Sequence, residues 1–136
     1  MDTERIQKLV LPGKLPSLNE YILAERTNKF AAAKLKKRIE NQIIWECRRQ
    51  KIKPIQRYPV RLEYFWYPPD KRIDKSNLSF SQKFIEDALQ GARILRNDGW
   101  SELEDPVHHF TVDAKKPRVE IFITEDLSGE ETHDAT

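Results

Sequence analysis

Residues Lys71 to Trp100 read KRIDKSNLSFSQKFIEDALQGARILRNDGW. Apolar residues recur in this stretch at the spacing of one helical stripe, namely Phe84, Ile85, Ala88, Leu89 and Ala92. Lys83, Asp87 and Gln90 fall on another side of the same helix. The pattern therefore predicts a helix that packs on a core through one face and points Lys83 away from it.

The start of this helix is predicted only to within a few residues. Ser76, Asn77 and Ser79 are all suitable N-caps, and Ser79 with Gln82 fits a capping box.

An aspartate flanks the helix at each end. Asp74 lies in a basic, polar turn before it, and Asp98 lies in an Asn-Asp-Gly turn after it that sends the chain back toward the helix. Mg²⁺ prefers oxygen ligands, usually one or two carboxylates with water and phosphate, so this pair suits a metal on a phosphodiester. The ammonium group of Lys83 is a point charge that suits binding of the phosphate itself. The alternative is structural: Asp74 caps the helix and Asp98 makes an Asx turn.

The N-terminal part of the chain predicts a strand, a loop and a long helix. Ile6 to Leu11 is a short apolar strand, and Lys14 to Tyr21, which includes Asn19, has the composition of a loop. From Asn28 to Lys51 an apolar stripe predicts the longest helix. Its surface is basic, with Lys29, Lys34, Lys36, Lys37, Arg38, Arg48, Arg49 and Lys51. Such a face is either solvated or a site for phosphates.

The remaining segments predict strands. Val60 to Tyr67 alternates between apolar and polar sides and predicts a central strand. Val107 to Asp113 and Arg118 to Thr124 predict an antiparallel hairpin. The adjacent His108 and His109 would then point to opposite faces, which favours structural roles over shared metal binding.

Composition narrows the class of protein. The chain has 136 residues, a length that suits one small domain. Of these residues 38% are apolar and 34% are charged, and the formal net charge is +2. Its single cysteine, Cys47, excludes an intrachain disulfide and a cysteine-rich zinc site. No apolar run is long enough to span a bilayer and the N-terminus lacks a signal peptide's hydrophobic region, so we expect a cytoplasmic protein.

The order of these elements predicts an α/β (α+β) fold, a single small domain in which two main helices pack on a mixed sheet. We expect the domain to cover residues 1–125 and an acidic, disordered tail to cover residues 126–136.

The central block resembles the RusA-type Holliday junction resolvases of phages and prophages. That family carries an Asp-x-Asp-Asn element, a lysine on the next helix ahead of Asp-Ala-Leu, and an Asp-Asp or Asn-Asp turn. The corresponding residues here are Asp74-Lys75-Ser76-Asn77, Lys83, Asp87-Ala88-Leu89 and Asn97-Asp98. The resemblance runs from about Leu9 to Glu125.

The resemblance implies a Mg²⁺-dependent endonuclease, with Mn²⁺ as a possible substitute, that resolves branched DNA as a homodimer without a small-molecule cofactor. The catalytic residues would be Asp74, Lys83 and Asp98. Ser76 stands where the family has a second acid, and it would join Asp74 and Asp98 around the metal. The expected DNA contacts are Asn19, Lys29, Lys34, Lys37, Arg72, Lys75 and Asn77.

Two other functions are open at this point. Because Ser76 brings no charge, the protein could bind junctions without cutting them, unless Asp70, Asp87 or Glu102 compensates. A weaker alternative is an adaptor whose basic helix meets an acidic protein.

Overall fold

The sheet is organised around strand β2 (Val60–Tyr67), whose residues alternate between buried and half-buried positions as its sequence predicts. Val60, Leu62, Tyr64 and Trp66 all point into the core. The computed structural model describes residues 3–13 and 15–128. Because each side of β2 has a neighbouring strand, the prediction of a central strand is confirmed.

The other strands are β1 (Glu4–Pro12), β3 (Val107–Phe110) and β4 (Arg118–Asp126). The order across the sheet is β1-β4-β2-β3, with β4 antiparallel to both neighbours and β3 parallel to β2. The sheet is therefore mixed, as predicted.

The predicted hairpin between β3 and β4 is wrong. β4 crosses to the other side of β2 and lies between β1 and β2, whereas β3 becomes an edge strand. The reason is the burial of β4, which is nearly continuous along its length. A strand buried on both faces belongs in the interior of a sheet.

The helices are α1 (Leu18–Thr27), α2 (Lys29–Arg49), α3 (Lys75–Ser79) and α4 (Gln82–Gly91). Helices α2 and α4 supply the buried helical residues, whereas α1 buries none of its side chains. The prediction of one domain with two main helices packed on a sheet is therefore confirmed.

The prediction of a loop from Lys14 to Tyr21 is wrong from Leu18 onward. The backbone N–H of Glu20 donates to Ser17 Oγ at 3.3 Å, which caps the start of α1. Asn19 consequently lies on a helix, with its side chain exposed. Lys14 lies outside the described residues.

The stretch after Asp74 forms two helices instead of one. Asp74 occupies the N-cap of α3 and Ser81 that of α4, and neither side chain makes a capping hydrogen bond. The expected capping box is absent because Ser79 ends α3 and is not the N-cap of α4; its Oγ donates to the carbonyl of Ser76 at 3.3 Å. Ser81 is fully buried and its hydroxyl donates to the carbonyl of Pro16, which ties the break between the helices to the N-terminal segment.

One apolar cluster fills the space between the sheet and the helices. Its largest fully buried members include Tyr64, Leu9, Ile43, Leu62 and Ile85. Cys47 belongs to the same cluster and is 1% exposed. No helix within residues 3–13 and 15–128 is long and apolar enough to cross a membrane.

A buried carboxylate closes the C-terminal end of the domain. Glu125 is 0% exposed and accepts hydrogen bonds from the backbone N–H groups of Gln56 and Arg57 at 2.7 and 3.0 Å. It also accepts from Arg5 Nε at 2.6 Å. Strand β4 extends to Asp126, one residue beyond the predicted end of the domain. The rest of the predicted tail, residues 129–136, lies outside the described part of the chain.

We expect Glu125→Ala to destabilise the fold by roughly 3–5 kcal/mol, because it leaves the Arg5 guanidinium and two backbone donors without their buried acceptor. The free energy of unfolding in urea measures this loss. Glu104→Ala, an exposed acid replaced in the same way, should change stability by less than about 0.5 kcal/mol. Equal effects of the two changes would show that the buried contacts contribute nothing.

Candidate functional site

The site begins with an ion pair between helix α4 and the turn that follows it. Burial of Phe84, Ile85, Ala88 and Leu89 fixes the rotation of α4. Lys83 therefore points to solvent, as predicted. Its Nζ lies 2.5 Å from Asp98 Oδ2, so the turn does return Asp98 to the helix.

A second acid holds the same ammonium group. Asp87 lies one turn along α4, and its Oδ1 is 3.1 Å from Lys83 Nζ. Asp87 Oδ2 is also 3.5 Å from Lys36 Nζ on α2. A chain of charges therefore connects the basic helix α2 with the Lys83–Asp98 pair.

This pairing shifts the pKa of Lys83 and the pKa of Asp98 in the directions that favour their charged forms. The hydrogen bond to Asp98, followed by the one to Asp87, raises the pKa of Lys83 well above its ordinary value. The hydrogen bond from Lys83 lowers the pKa of Asp98. At neutral pH the site thus presents a fully charged ammonium group between two carboxylates.

A third acid, Glu86, lies beneath this pair and was not predicted. It is 7% exposed and lines the same cavity as Asp98. Its Oε2 accepts hydrogen bonds from Gln82 Nε2 at 2.6 Å and from the hydroxyl of Tyr64 at 3.3 Å. Burial raises the pKa of Glu86, and the charge of Asp98 adds to that shift. A cavity that contains such a carboxylate can hold a proton close to the exposed pair.

His108 continues this network toward the edge of the sheet. Its Nδ1 accepts from the indole N–H of Trp66 at 2.9 Å, which leaves Nε2 to donate to Gln82 Oε1 at 2.9 Å. Burial lowers the pKa of His108, so the ring is neutral at pH 7. His109 points to the other face of the sheet, where its Nε2 lies 2.6 Å from Glu63 Oε2. The histidines are therefore structural, consistent with their position on a strand.

Asp74 lies in a different cavity from Asp98. The Asp74 cavity borders the C-terminal end of β3 through Phe110, Thr111 and Val112, whereas the Asp98 cavity borders the other end through Pro106. No described residue lines both cavities. A strand rises about 3.3 Å per residue, so the two ends of β3 are about 10 Å apart. That both acids bind one ion stays a prediction.

Ser76 and the possible substitutes for a second acid lie in different parts of the structure. Ser76 is exposed on α3, beside Asp74. Asp70 lines the Asp74 cavity and Asp87 contacts Lys83, whereas Glu102 pairs with Arg96 at 3.1 Å. Asp70 is therefore the substitute beside Asp74, and Asp87 is the substitute beside Lys83.

The donor chemistry fits Mg²⁺, but the described residues do not form a complete ligand set. Asp98 offers hard oxygen ligands in one cavity and Asp74 in the other, and Mg²⁺ commonly takes one or two carboxylates with water and substrate phosphate. Among residues 3–13 and 15–128, no group of three or more acidic, histidine or cysteine side chains is placed to hold a metal.

The predicted DNA contacts lie on exposed or half-exposed surface. Lys29, Lys34 and Lys37 are exposed on α2. Near Asp74, Arg72 and Lys75 are exposed and Asn77 is half-buried, and Lys75 Nζ lies 5.6 Å from the centre of the Phe110 ring. Two basic surfaces therefore exist, one on α2 and one around Asp74; their contact with DNA stays a prediction.

Comparison with known proteins finds no family model that matches the chain and no curated protein that matches its sequence. A function for the site is therefore inferred from its geometry and from the resemblance in the Lys71 to Trp100 stretch.

We expect Lys83→Met to raise the pKa of Asp98 toward its ordinary value, because the hydrogen bond that lowers it is removed. A ¹³C NMR titration of the carboxyl groups measures the change. Since the folded pKa is the lower one, the pair stabilises the fold above the unfolded pKa of Asp and this contribution is lost as pH falls through the folded value.

For a pair this exposed we expect a contribution of roughly 0.2–1 kcal/mol. Lys115→Met, in an exposed loop, is the control and should leave Asp98 unchanged. An unaltered Asp98 pKa in the Lys83 variant would mean that the ion pair does not form in solution.

Proposed function

We propose that this protein is a Mg²⁺-dependent endonuclease that acts on branched DNA. The observation that carries the proposal is the exposed Lys83 ammonium group held 2.5 Å from Asp98, above a cavity that contains Glu86. A cation beside paired carboxylates suits phosphodiester hydrolysis, and the order of these residues along the chain resembles that of the RusA-type resolvases.

Lys83 has the role of binding the scissile phosphate. A phosphate oxygen that approaches its ammonium group competes with Asp98 for the same hydrogen bond, and Asp87 keeps the group oriented meanwhile. Phosphate binding therefore releases the Asp98 carboxylate into the cavity. The negative charge on the phosphoryl oxygens then faces a fixed ammonium group, which stabilises the transition state.

The acids have the role of holding the metal and moving a proton. Asp98 and Asp74, with Ser76, would hold Mg²⁺, which when bound activates water and polarises the phosphate. Burial raises the pKa of Glu86, so this carboxylate suits the role of a proton acceptor.

The DNA surface in this proposal combines α1, α2 and the Asp74 turn. Lysines on α2 neutralise phosphates and release counterions, which gives affinity without sequence preference. A four-way junction has approximate two-fold symmetry and needs paired nicks, so a C₂ homodimer is part of the proposal. The activity belongs in the compartment that contains DNA, which in a bacterium is the cytoplasm. No small-molecule cofactor is needed.

The second candidate is a protein that binds junctions without cutting them. Ser76 in place of an acid favours it, as does the location of Asp74 and Asp98 in separate cavities. Both candidates use the same basic surfaces, so binding alone does not distinguish them.

Purified protein incubated with a labelled four-way junction and a linear duplex, each with Mg²⁺ or EDTA, tests the proposal. We expect metal-dependent nicks in the junction and few in the duplex. A shifted but intact junction would support the binding protein, and the absence of both a shift and nicks would exclude both candidates.

We expect Asp98→Asn to reduce the cleavage rate by a factor of about 10² or more, because the carboxylate acts in the reaction. Junction affinity should stay within about threefold of the natural chain's, because the basic surface binds the DNA. Denaturing gels measure the nicks and mobility shifts measure affinity. Asp105→Asn removes the same charge from the same cavity without touching Lys83, and should keep most of the activity. Equal losses in both variants would contradict a specific role for Asp98.

We expect Ser76→Asp to raise the cleavage rate and to lower the Mg²⁺ concentration at half-maximal rate, since it adds a carboxylate beside Asp74. A magnesium titration of junction cleavage measures both. Ser79→Asp, one turn along the short helix α3, is the matched control. A lower rate only in the Ser76 variant would show that the hydroxyl is required as it is.

A further inference from the structure

The turn that contains Asp98 also carries a fully exposed tryptophan, Trp100. The other two tryptophans differ from it: Trp66 is 3% exposed, and Trp45 has the Arg49 guanidinium 5.7 Å from the centre of its ring. Within residues 3–13 and 15–128, no hydrogen bond or ring contact involves the Trp100 side chain. Single exposed apolar residues are common on protein surfaces, so exposure alone implies no role. The position of Trp100 is what distinguishes it.

The turn holds the backbone around Trp100 in place. The carbonyl of Gly99 accepts from the N–H groups of Glu102 and Leu103 at 3.2 and 3.0 Å. The N–H of Val60, in the central strand β2, donates to the carbonyl of Glu102 at 2.8 Å. A side chain on a backbone that is already ordered binds a ligand at a smaller entropic cost than one on a loop that must first become ordered. Trp100 is therefore an exposed ring on a preorganised support.

Trp100 lies next to the group that is proposed to bind the scissile phosphate. It is two residues from Asp98, so their Cα atoms are at most about 7.6 Å apart. Asp98 Oδ2 lies 2.5 Å from Lys83 Nζ. A stacked DNA strand advances about 3.4 Å per nucleotide. A base in contact with Trp100 therefore belongs to a nucleotide close to the phosphate on Lys83.

Trp100 also lines the Asp98 cavity, which suits an uncharged ring better than a phosphate. The cavity has a volume of about 360 Å³, within the range of roughly 300–1,000 Å³ that is typical of ligand sites. Among the described residues that line it, the charged ones are all acids, namely Glu86, Asp98, Glu104 and Asp105. These acids repel a phosphate. The DNA backbone is therefore expected on the Lys83 side and the bases on the Trp100 side.

We propose that Trp100 stacks on the free face of a nucleobase at the branch point of the DNA and thereby selects branched DNA over continuous duplex. This role rests on the proposed binding of branched DNA. Inside a duplex each base is covered by a neighbour on both faces, whereas in an open four-way junction the stacks end at the branch point. Every base has a π-face, so such a contact tolerates any sequence. The lysines of α2 bind any DNA, and Trp100 adds the preference for branches.

Equilibrium binding in EDTA tests this role without cleavage. Fluorescence anisotropy measures the Kd for a labelled four-way junction and for a linear duplex with the sequence of its arms. Trp100→Ala should weaken junction binding roughly 5- to 100-fold, which is the range for loss of one contact between an aromatic side chain and a base. Duplex binding should stay within about twofold. Trp100→Phe keeps an aromatic face and should lose less than about threefold on the junction.

A junction that lacks bases at its branch point is the matched control in the DNA. Abasic sites replace the nucleotides that flank the branch point, so the phosphates are unchanged. The natural chain should bind this junction more weakly than the intact one, by about the factor that Trp100→Ala causes. The Trp100→Ala variant should bind the two junctions equally. The four measurements form a double-mutant cycle, which assigns the loss to contact between the indole and a base.

Trp45→Ala is the matched control in the protein, because it removes a partly exposed indole from the basic helix α2. It should leave the ratio of junction affinity to duplex affinity unchanged, since a contact of α2 with the DNA backbone serves both. Circular dichroism confirms that each variant is folded.

Any of three results would overturn the role of Trp100. The natural chain does not bind the junction; or Trp100→Ala weakens junction and duplex binding equally, or weakens neither; or its effect is the same on the intact and abasic junctions. Cleavage is not measured in these experiments. If Trp100 shows the expected dependence in a protein that makes no nicks, the nuclease proposal fails and the role of Trp100 in branch recognition stands.

Discussion

The burial of one stripe of α4 between the sheet and α2 is the constraint on which the candidate site depends. Phe84, Ile85, Ala88 and Leu89 are each at most 4% exposed, so the helix cannot rotate without exposing them. Fully burying one such large side chain is worth roughly 1.5–3 kcal/mol, well above the strength of an exposed ion pair. The core therefore determines where Lys83 points, and Asp98 pairs with Lys83 at that position.

The same constraint explains the polar network beneath the site. Glu86 lies beside the apolar stripe and is buried with it, and a buried carboxylate must be hydrogen-bonded to be tolerated. Tyr64 and Gln82 supply those bonds, and His108 orients Gln82 from the edge strand. Helix α4 and strands β2 and β3 are thus joined by polar contacts on the side of the sheet where Lys83 and Asp98 meet.

The sequence predicts the elements whose signal is local periodicity. Strand β2 and helices α2 and α4 were predicted because alternation and helical stripes are visible within each segment. Helix α1 was missed since it has no buried stripe, although Ser17 and Glu20 were a usable capping signal. The position of β4 and the role of Glu86 could not be predicted: both depend on partners distant in the chain, such as Tyr64, 22 residues from Glu86.

The separation of Asp74 from Asp98 has a cause in the same topology. Both aspartates flank β3, which has four residues and, among the strands that the structure describes, pairs with β2 alone. Asp74 lies at the start of α3, a five-residue helix with no buried side chain, whereas Asp98 is held by Lys83 on a helix that the core immobilises. Few apolar contacts must break for the Asp74 turn to move, so a change in the distance between the acids is accommodated on that side. The Lys83–Asp98 pair is therefore held in place by the core, whereas the Asp74 turn and α3 can move with a smaller loss of buried contacts.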